Sequence, residues 1–240
     1  MNIDQKQSLD ALVAQMPAAI PVLEQLGIDY SCDRHQSLAA ASEAAGLDPD
    51  EVMRSLARAE HTVYPPVSDW MQAPLCDLMK HIVDRHHTYC RQEFGRLGPL
   101  LNEIAKKQGG QHPELREIRL LFSALNSAIT MHLLKEEQTL FPMIARIEEA
   151  HVHQQPLPRL PFGTIRNPIT MMGYEHDEAA KPLRQIRQAS HGYQAPGDAD
   201  AAYREAFEAL KAFEQDMHQH VYLEDYILFP RVIALEKPAP

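Results

Sequence analysis

The chain has 240 residues and is 45% hydrophobic, enough for one medium domain with a sizeable core, with or without a small second domain. Ten glycines and 7% aromatic residues disfavour a β-rich fold. The net charge of −10 argues against nucleic acid and anionic membranes as partners, because both favour basic patches.

Targeting and redox features favour the cytoplasm. The segment MNIDQKQSLD has no basic stretch followed by an apolar core, so we expect no signal peptide, and no apolar run is long enough to span a membrane. The three cysteines, Cys32, Cys76 and Cys90, are odd in number and form no Cys-x-x-Cys motif. This excludes a disulfide scaffold and a zinc ribbon, and it favours a reducing cytoplasm.

Residues 1–60 are predicted to form a small helical N-terminal domain. Two of its helices are expected to end at Gly27 and Gly46, since glycine commonly closes a helix, and a third follows. Cys32 lies in a polar turn between the first two. Residues 61–73 contain closely spaced prolines and are interpreted as a linker.

The remainder, residues 74–240, is predicted to be an all-α domain. Four helical stretches are expected at about 74–107, 114–149, 168–190 and 199–235. Only the connection between the second and third stretches is long and rich in proline, and the others are short enough for antiparallel neighbours. The spacing predicts an up-down-up-down four-helix bundle.

One phrase occurs twice in this domain, 88 residues apart, as His-x-x-x-Glu-[Asp/Glu]-x-x-Leu-Phe-Pro. The first copy begins with His132 and Glu136, the second with His220 and Glu224. Positions i and i+4 share one face of an α-helix, so each copy directs an imidazole and a carboxylate the same way. Two such pairs facing each other across a bundle core predict a site for two metal ions.

The other two helices each add one candidate histidine. On the first helix, the apolar positions at steps of three and four are interrupted only by His87, whereas the stripe through His86 continues into Glu93. We therefore predict His87 as the ligand and His86 as a bystander. The third helix contributes His176.

A lone histidine–glutamate pair is more often a surface contact than a metal site. Here four apolar stripes are interrupted by imidazoles and two of them also by carboxylates, and such buried charges are costly unless they are paired or bound to metal. Carboxylate–imidazole sites with open positions suit non-haem iron. Zinc and manganese stay open on the residues alone.

These residues resemble a haemerythrin-like (HHE) domain, and the whole chain resembles the family known as RIC, for repair of iron centres. The resemblance implies two non-haem iron ions, bridged by carboxylates and an oxo group, in a cytoplasmic protein of the nitrosative and oxidative stress response. It also implies binding of nitric oxide or O₂, with reduction of nitric oxide left open, and damaged iron–sulfur proteins as partners. A non-catalytic nitric oxide or O₂ binding protein is the alternative, and a homodimer is left open.

One departure from that family concerns the leading domain. The family has two adjacent cysteines there, whereas this chain has Ser31 and Cys32. Cys32 is thus a candidate redox thiol without a neighbouring partner, and a simple turn residue is an equally good interpretation.

Overall fold

A computed structural model describes residues 3–30, 33–59 and 70–236. The chain divides into two compact units, Met1–Gln72 and Ala73–Pro240. Within the described ranges, the secondary structure consists of helices and one isolated antiparallel bridge between Ser8 and Ser37. The predicted all-α fold class is confirmed.

The first unit contains short helices whose ends are set by capping residues. Its described helices are α1 (Leu9–Gln15), α2 (Ala19–Gln25), α3 (Leu38–Ala44) and α4 (Pro49–Ala59). The hydroxyls of Ser8 and Ser37 accept hydrogen bonds from the first turns of α1 and α3. Gly27 and Gly46 follow α2 and α3 with φ of 70° and 74°, the left-handed conformation that the prediction of helix ends there required. Cys32 and most of the predicted linker lie outside the described residues.

The second unit is built from longer helical elements. In chain order these are α5 (Leu75–His81), π1 (Ile82–His87), α6 (Thr88–Gln108), α7 (Glu114–Lys135), π2 (Glu136–Leu140), α8 (Phe141–Val152), α9 (Arg166–Ala189), α10 (Ala201–Tyr222), π3 (Leu223–Leu228) and α11 (Phe229–Leu235). Several follow one another without a break, so they form four long helical stretches close to the predicted ones.

These four stretches enclose one apolar core. Helix α7 packs against α6 and α9, and α10 packs against the same two helices, so each long helix has two neighbours. Phe94, Phe122 and Phe213 meet in the interior with ring centroids 5.2–5.7 Å apart. The up-and-down directions of the four helices stay a prediction.

Three π-helical segments were not foreseen from the sequence. In π2 the amide of Phe141 donates to the carbonyl of Glu136, and in π3 the amide of Phe229 donates to that of Glu224, five residues back in each case. Each phenylalanine is followed by a proline, which has no amide hydrogen to donate. The run of hydrogen bonds to the carbonyl five residues back therefore ends there, and no amide is left without an acceptor. Such single-turn segments are frequent at functional sites.

The π1 segment also corrects the prediction for His86. A regular α-helix would turn His86 away from the core when His87 faces it, but the wider π turn shifts the phase, and both side chains are buried. His86 is only 3% exposed, and its Nδ1 lies 3.1 Å from a carboxylate oxygen of Asp216. This burial departs from the phase that a regular α-helix would give His86, and its assignment as a bystander rather than a ligand stays a prediction.

Candidate metal centre

The structure brings all six predicted metal ligands together inside the second unit. Three come from the first half of the repeat and its neighbour, namely His87 in π1, His132 in the last turn of α7 and Glu136 in π2. The other three are His176 in the middle of α9, His220 in α10 and Glu224 in π3. All six are buried. They form two overlapping groups, in each of which the potential ligand atoms lie within 4.8 Å of one another.

These two groups define two candidate positions for a cation. Position 1 is defined by His132 and His176, whose Nε2 atoms are 3.1 Å apart. Position 2 is defined by His87 and His220, whose Nε2 atoms are also 3.1 Å apart. Both glutamates belong to both groups.

Glu136 spans the two positions with its two oxygens. One lies 3.1 Å from Nε2 of His132, at position 1, and the other lies 3.4 Å from Nε2 of His87, at position 2. A carboxylate held in this way can bridge two cations. The local reason is the i+4 spacing of His132 and Glu136 across the junction of α7 and π2.

Glu224 repeats this arrangement from the opposite half of the sequence. Its oxygens lie 3.2 Å from Nε2 of His176 and 3.1 Å from Nε2 of His220, so it also faces both positions. The repeated phrase therefore supplies two carboxylates with equivalent placements.

The unsatisfied polar atoms at the centre fit a cation. None of the four oxygens of Glu136 and Glu224 has a hydrogen-bond partner, although both residues are fully buried. Buried carboxylates without donors are costly, and a positive ion between the oxygens and the histidine nitrogens would satisfy them. Imidazole nitrogen and carboxylate oxygen are donors that iron accepts.

In the metal-free protein, protons supply this positive charge. Burial opposes charging of His176, but the carboxylates of Asp225 and Glu224 outweigh it and raise its pKa to about 10. Burial likewise opposes charging of His220, yet Glu224, the Cys90 side chain and Glu136 raise its pKa well above the ordinary value. The protons on His176 at position 1 and on His220 at position 2 are thus stabilised, and a bound metal ion would replace them.

The same charges act on the bridging carboxylates. Burial favours protonation of Glu224, but His220 and His176 outweigh it and hold its pKa well below the ordinary value. Burial and the charge of Glu224 both oppose ionisation of Glu136, and His132 and His87 reverse that effect, so its pKa is also lowered. Both carboxylates are therefore ionised at neutral pH and available as ligands.

Outer carboxylates orient three of the four histidines, and sequence reasoning assigned them no role. Glu175 lies 3.0 Å from Nδ1 of His132, and Asp225 lies 3.0 Å from Nδ1 of His176. At position 2, Glu137 lies 2.6 Å from Nδ1 of His87. Each carboxylate accepts a hydrogen bond from Nδ1–H of the imidazole, which leaves the unprotonated Nε2 directed toward the centre as a ligand.

A sequence signal for two of these carboxylates was present. Glu137 and Asp225 directly follow Glu136 and Glu224 and occupy the acidic position of the repeated phrase. The acid Glu175 precedes the ligand His176 in the chain.

Phenylalanines of the repeated phrase cover the centre on two sides. The Phe141 ring stacks on His87 with centroids 5.8 Å apart, and the Phe229 ring stacks on His176 with centroids 6.2 Å apart. Both rings are buried. They limit the access of bulk water to the ligands.

A groove of about 380 Å³ between α7 and α9 approaches the centre at position 1. His132 and Glu175 line its inner part, and small side chains such as Ala128 and Ala179 leave the space open. Its walls are mainly apolar. It is thus a route by which a small uncharged molecule could reach His132.

The remaining predicted thiol, Cys32, lies outside the described residues, so its surroundings are not defined. No helix among the described residues is both long and apolar enough to cross a membrane.

Comparison with known proteins agrees with the geometry of the centre. Residues 78–232 match the family model described as the hemerythrin HHE cation binding domain, and residues 5–60 match ScdA_N, a domain of unknown function. The chain is 29% identical over 230 residues to proteins named iron-sulfur cluster repair protein YtfE from Salmonella schwarzengrund and from Salmonella newport. These alignments cover 96% of this chain and 98% of each relative. The resemblance inferred from the motifs is confirmed.

Proposed function

Because the chain belongs to the hemerythrin HHE cation-binding family, we propose that positions 1 and 2 each hold one non-haem iron ion. The observation that carries this proposal is the placement of Glu136 and Glu224, each of which faces histidines of both positions at 3.1–3.4 Å. Four imidazoles and two shared carboxylates give each ion two nitrogen and two oxygen ligands. Ions held by this set would keep open positions at which a small ligand could bind.

The protein supplies orientation, charge and exclusion of water. Glu137, Glu175 and Asp225 hold three of the imidazoles by their Nδ1–H groups, so that Nε2 faces the centre. Phe141 and Phe229 cover two of the ligands. Iron bound there would supply one-electron redox chemistry and an open position for a diatomic ligand.

We further propose that this centre binds nitric oxide, with reduction of nitric oxide as a second activity, and that the protein serves the repair of damaged iron–sulfur proteins under nitrosative and oxidative stress. The similar Salmonella proteins are named for iron–sulfur cluster repair, which supports this role. The mainly apolar groove beside His132 gives a small ligand such as NO or O₂ a route to position 1.

The test is to purify the protein anaerobically, count its metals and titrate it with nitric oxide. We expect two irons per chain and an iron–nitrosyl spectrum that saturates with NO. Release of N₂O with an added electron donor would indicate turnover, whereas a stable nitrosyl without N₂O would indicate the non-catalytic binding protein. One zinc per chain and no spectral response to NO would contradict the proposal.

For the N-terminal unit we propose a role in partner contact or iron delivery. All six candidate ligands lie in residues 73–240, so a protein starting near residue 68 should still bind iron. Its reactivation of a damaged iron–sulfur enzyme should fall more than its binding of NO, and Cys32→Ser tests whether the thiol contributes. Full reactivation by the truncated protein would contradict this role, and loss of iron would mean that part of the centre had been misplaced.

A further inference from the structure

The outer carboxylate beside His132 accepts a second hydrogen bond, from a cation at the protein surface. One oxygen of Glu175 lies 3.0 Å from Nδ1 of His132, and the other accepts from Nζ of Lys135 at 2.5 Å. The imidazole is buried, with 4% of the side chain exposed, whereas the Lys135 side chain is 48% exposed. Glu175 therefore connects a candidate ligand of position 1 to a charge at the surface.

The same arrangement occurs at position 2 with different residues. One oxygen of Glu137 lies 2.6 Å from Nδ1 of His87 and 2.5 Å from Nη2 of Arg91. His87 is fully buried, and the Arg91 side chain is again 48% exposed. These two outer glutamates thus each have one donor inside the protein and one at its surface.

Each cation comes from the helical stretch that carries the histidine it serves. Arg91 follows His87 by four residues and Lys135 follows His132 by three, the spacings at which side chains share one helical face. The glutamate comes from the adjacent stretch in both cases, so two side chains one turn apart hold a carboxylate of the neighbouring helix. The third and fourth residues after the other two candidate histidines are not basic, so this arrangement is specific to one ligand of each position.

The outer glutamates need a second donor because they are less buried than the candidate metal ligands. The side chains of Glu137 and Glu175 are 26% and 22% exposed, whereas those of Glu136 and Glu224 are 0% exposed. Water therefore competes with the imidazole for the outer oxygens, and a flexible side chain loses rotamer freedom when it is held in one conformation. A hydrogen bond between two charged groups is strong enough to offset part of this cost. The cation thus favours the glutamate rotamer in which the carboxylate meets Nδ1.

An exposed ion pair by itself contributes little to stability, so these contacts could be ordinary surface salt bridges. Lys107 and Glu103 on α6 form such a pair, with both side chains more than half exposed. The pairs made by Lys135 and Arg91 differ from it because their carboxylates also contact a candidate ligand. Their effect is therefore expected in the retention of iron and not in the stability of the fold.

We propose that Arg91 and Lys135 are positioning residues of the metal centre: each holds an outer glutamate against the Nδ1–H group of a ligand, so that its ion position retains iron more tightly. This inference rests on the proposed two-iron centre. An imidazole that keeps its hydrogen bond at Nδ1 stays oriented with Nε2 toward the ion, and the carboxylate makes Nε2 a stronger donor. Such an outer partner accounts for about 10- to 100-fold in metal affinity, and the cation, which acts through it, for a part of that factor.

The test measures how fast the full-length, iron-loaded and reduced protein loses iron to an excess of a ferrous-iron chelator, followed by absorbance. Lys135→Met and Arg91→Met should each accelerate release several-fold, because the outer glutamate then leaves the imidazole for part of the time. Lys135→Arg and Arg91→Lys keep the charge and should release iron at close to the unsubstituted rate. The matched control, Lys107→Met, breaks an exposed pair that contacts no ligand and should have no effect.

A double substitution shows whether the cation acts through the glutamate. Glu175→Ala should accelerate release by about 10-fold or more, and Lys135→Met should then add nothing further. Urea unfolding of the metal-free proteins tests for a merely structural role. There, Lys135→Met should lower the free energy of unfolding no more than Lys107→Met does.

Unchanged or slower release in either methionine variant would overturn the proposal for that ion position, and slower release would mean that the cation only withdraws charge from the glutamate. Equal acceleration by Lys135→Met with and without Glu175 would overturn it as well. Failure of the two-iron centre itself is distinguishable from these results, because the unsubstituted protein would then hold fewer than two irons per chain before chelation.

Discussion

Removing the metal should make the protein lose stability as the pH rises from 7 to 8.5. In the folded metal-free protein the pKa of His176 is about 10, against 6.5 for an ordinary histidine. A histidine whose pKa is higher in the folded protein than in the unfolded chain stabilises the fold. This stabilisation is complete below the pKa of the unfolded chain, and it is lost as the pH rises toward the pKa of the folded protein. In this interval the folded state keeps its proton while the unfolded chain releases it.

The magnitude follows from the two pKa values of His176. While the folded state holds one proton that the unfolded state lacks, each increase of one pH unit lowers the free energy of unfolding by about 1.4 kcal/mol. Over the interval from pH 7 to 8.5 this amounts to about 2 kcal/mol of unfolding free energy. His220, whose pKa is also raised, acts in the same direction. Glu136 and Glu224 stay ionised throughout and contribute no slope, since their pKa values are lowered.

The assay is urea unfolding of metal-free and iron-loaded protein at several pH values between 7 and 8.5. Burial and Glu148 raise the pKa of Cys76 to about 11, so this thiol adds to the loss only near the upper limit, where the unfolded thiol begins to ionise. The iron-loaded protein should show little slope, because metal replaces the protons on the histidines. Asp225→Asn removes the carboxylate paired with His176 and should flatten the metal-free slope. A metal-free stability that is constant or rises over this range would refute the reasoning, as would an equal slope in the loaded protein.

Four further substitutions test three separate parts of the centre. Glu136→Ala should lower the iron content at both positions, measured by metal analysis, and retention of two irons with an unchanged absorption spectrum would rule out a bridging carboxylate. His86→Ala should keep its iron, but its free energy of unfolding in urea should fall by about 1–3 kcal/mol, since buried Asp216 loses the imidazole beside it. His87→Ala should lose iron. The opposite iron contents would contradict the assignment of His87 as the ligand. Ala128→Phe should partly fill the groove and slow azide binding several-fold in stopped-flow measurements without changing the iron content, and an unchanged rate would place the entry route elsewhere.

The helices and the six candidate ligands were accessible from the sequence because both depend on periodicity. An imidazole and a carboxylate four residues apart lie on one helical face, and the apolar stripes around His132 and His220 show which face is inside. Helix ends were predictable where a residue has a special conformation, as at Gly27 and Gly46. Helix α1 was missed because no glycine closes it: its C-cap residue is Met16.

The π segments were not predictable from periodicity, because that reasoning assumes a constant number of residues per turn. Their effect is local: each adds a wider turn where a ligand is presented, so neighbours such as His86 and His87 are buried together. The prolines after Phe141 and Phe229 were the available signal, since a residue without an amide hydrogen disturbs a regular α-helix.

The outer partners show why a repeat in sequence does not guarantee an equivalent site. The repeated phrase places Glu137 and Asp225 at matching positions, and each reaches a histidine of another helix. The other two outer positions lie outside the phrase, and there the halves differ: Glu175 lies 3.0 Å from Nδ1 of His132, whereas Nδ1 of His220 has no hydrogen-bond partner. Because imidazole basicity depends on the acceptor at Nδ1, ligands of identical type can bind iron with different strength. The asymmetry of the centre is therefore encoded in residues that do not themselves bind metal.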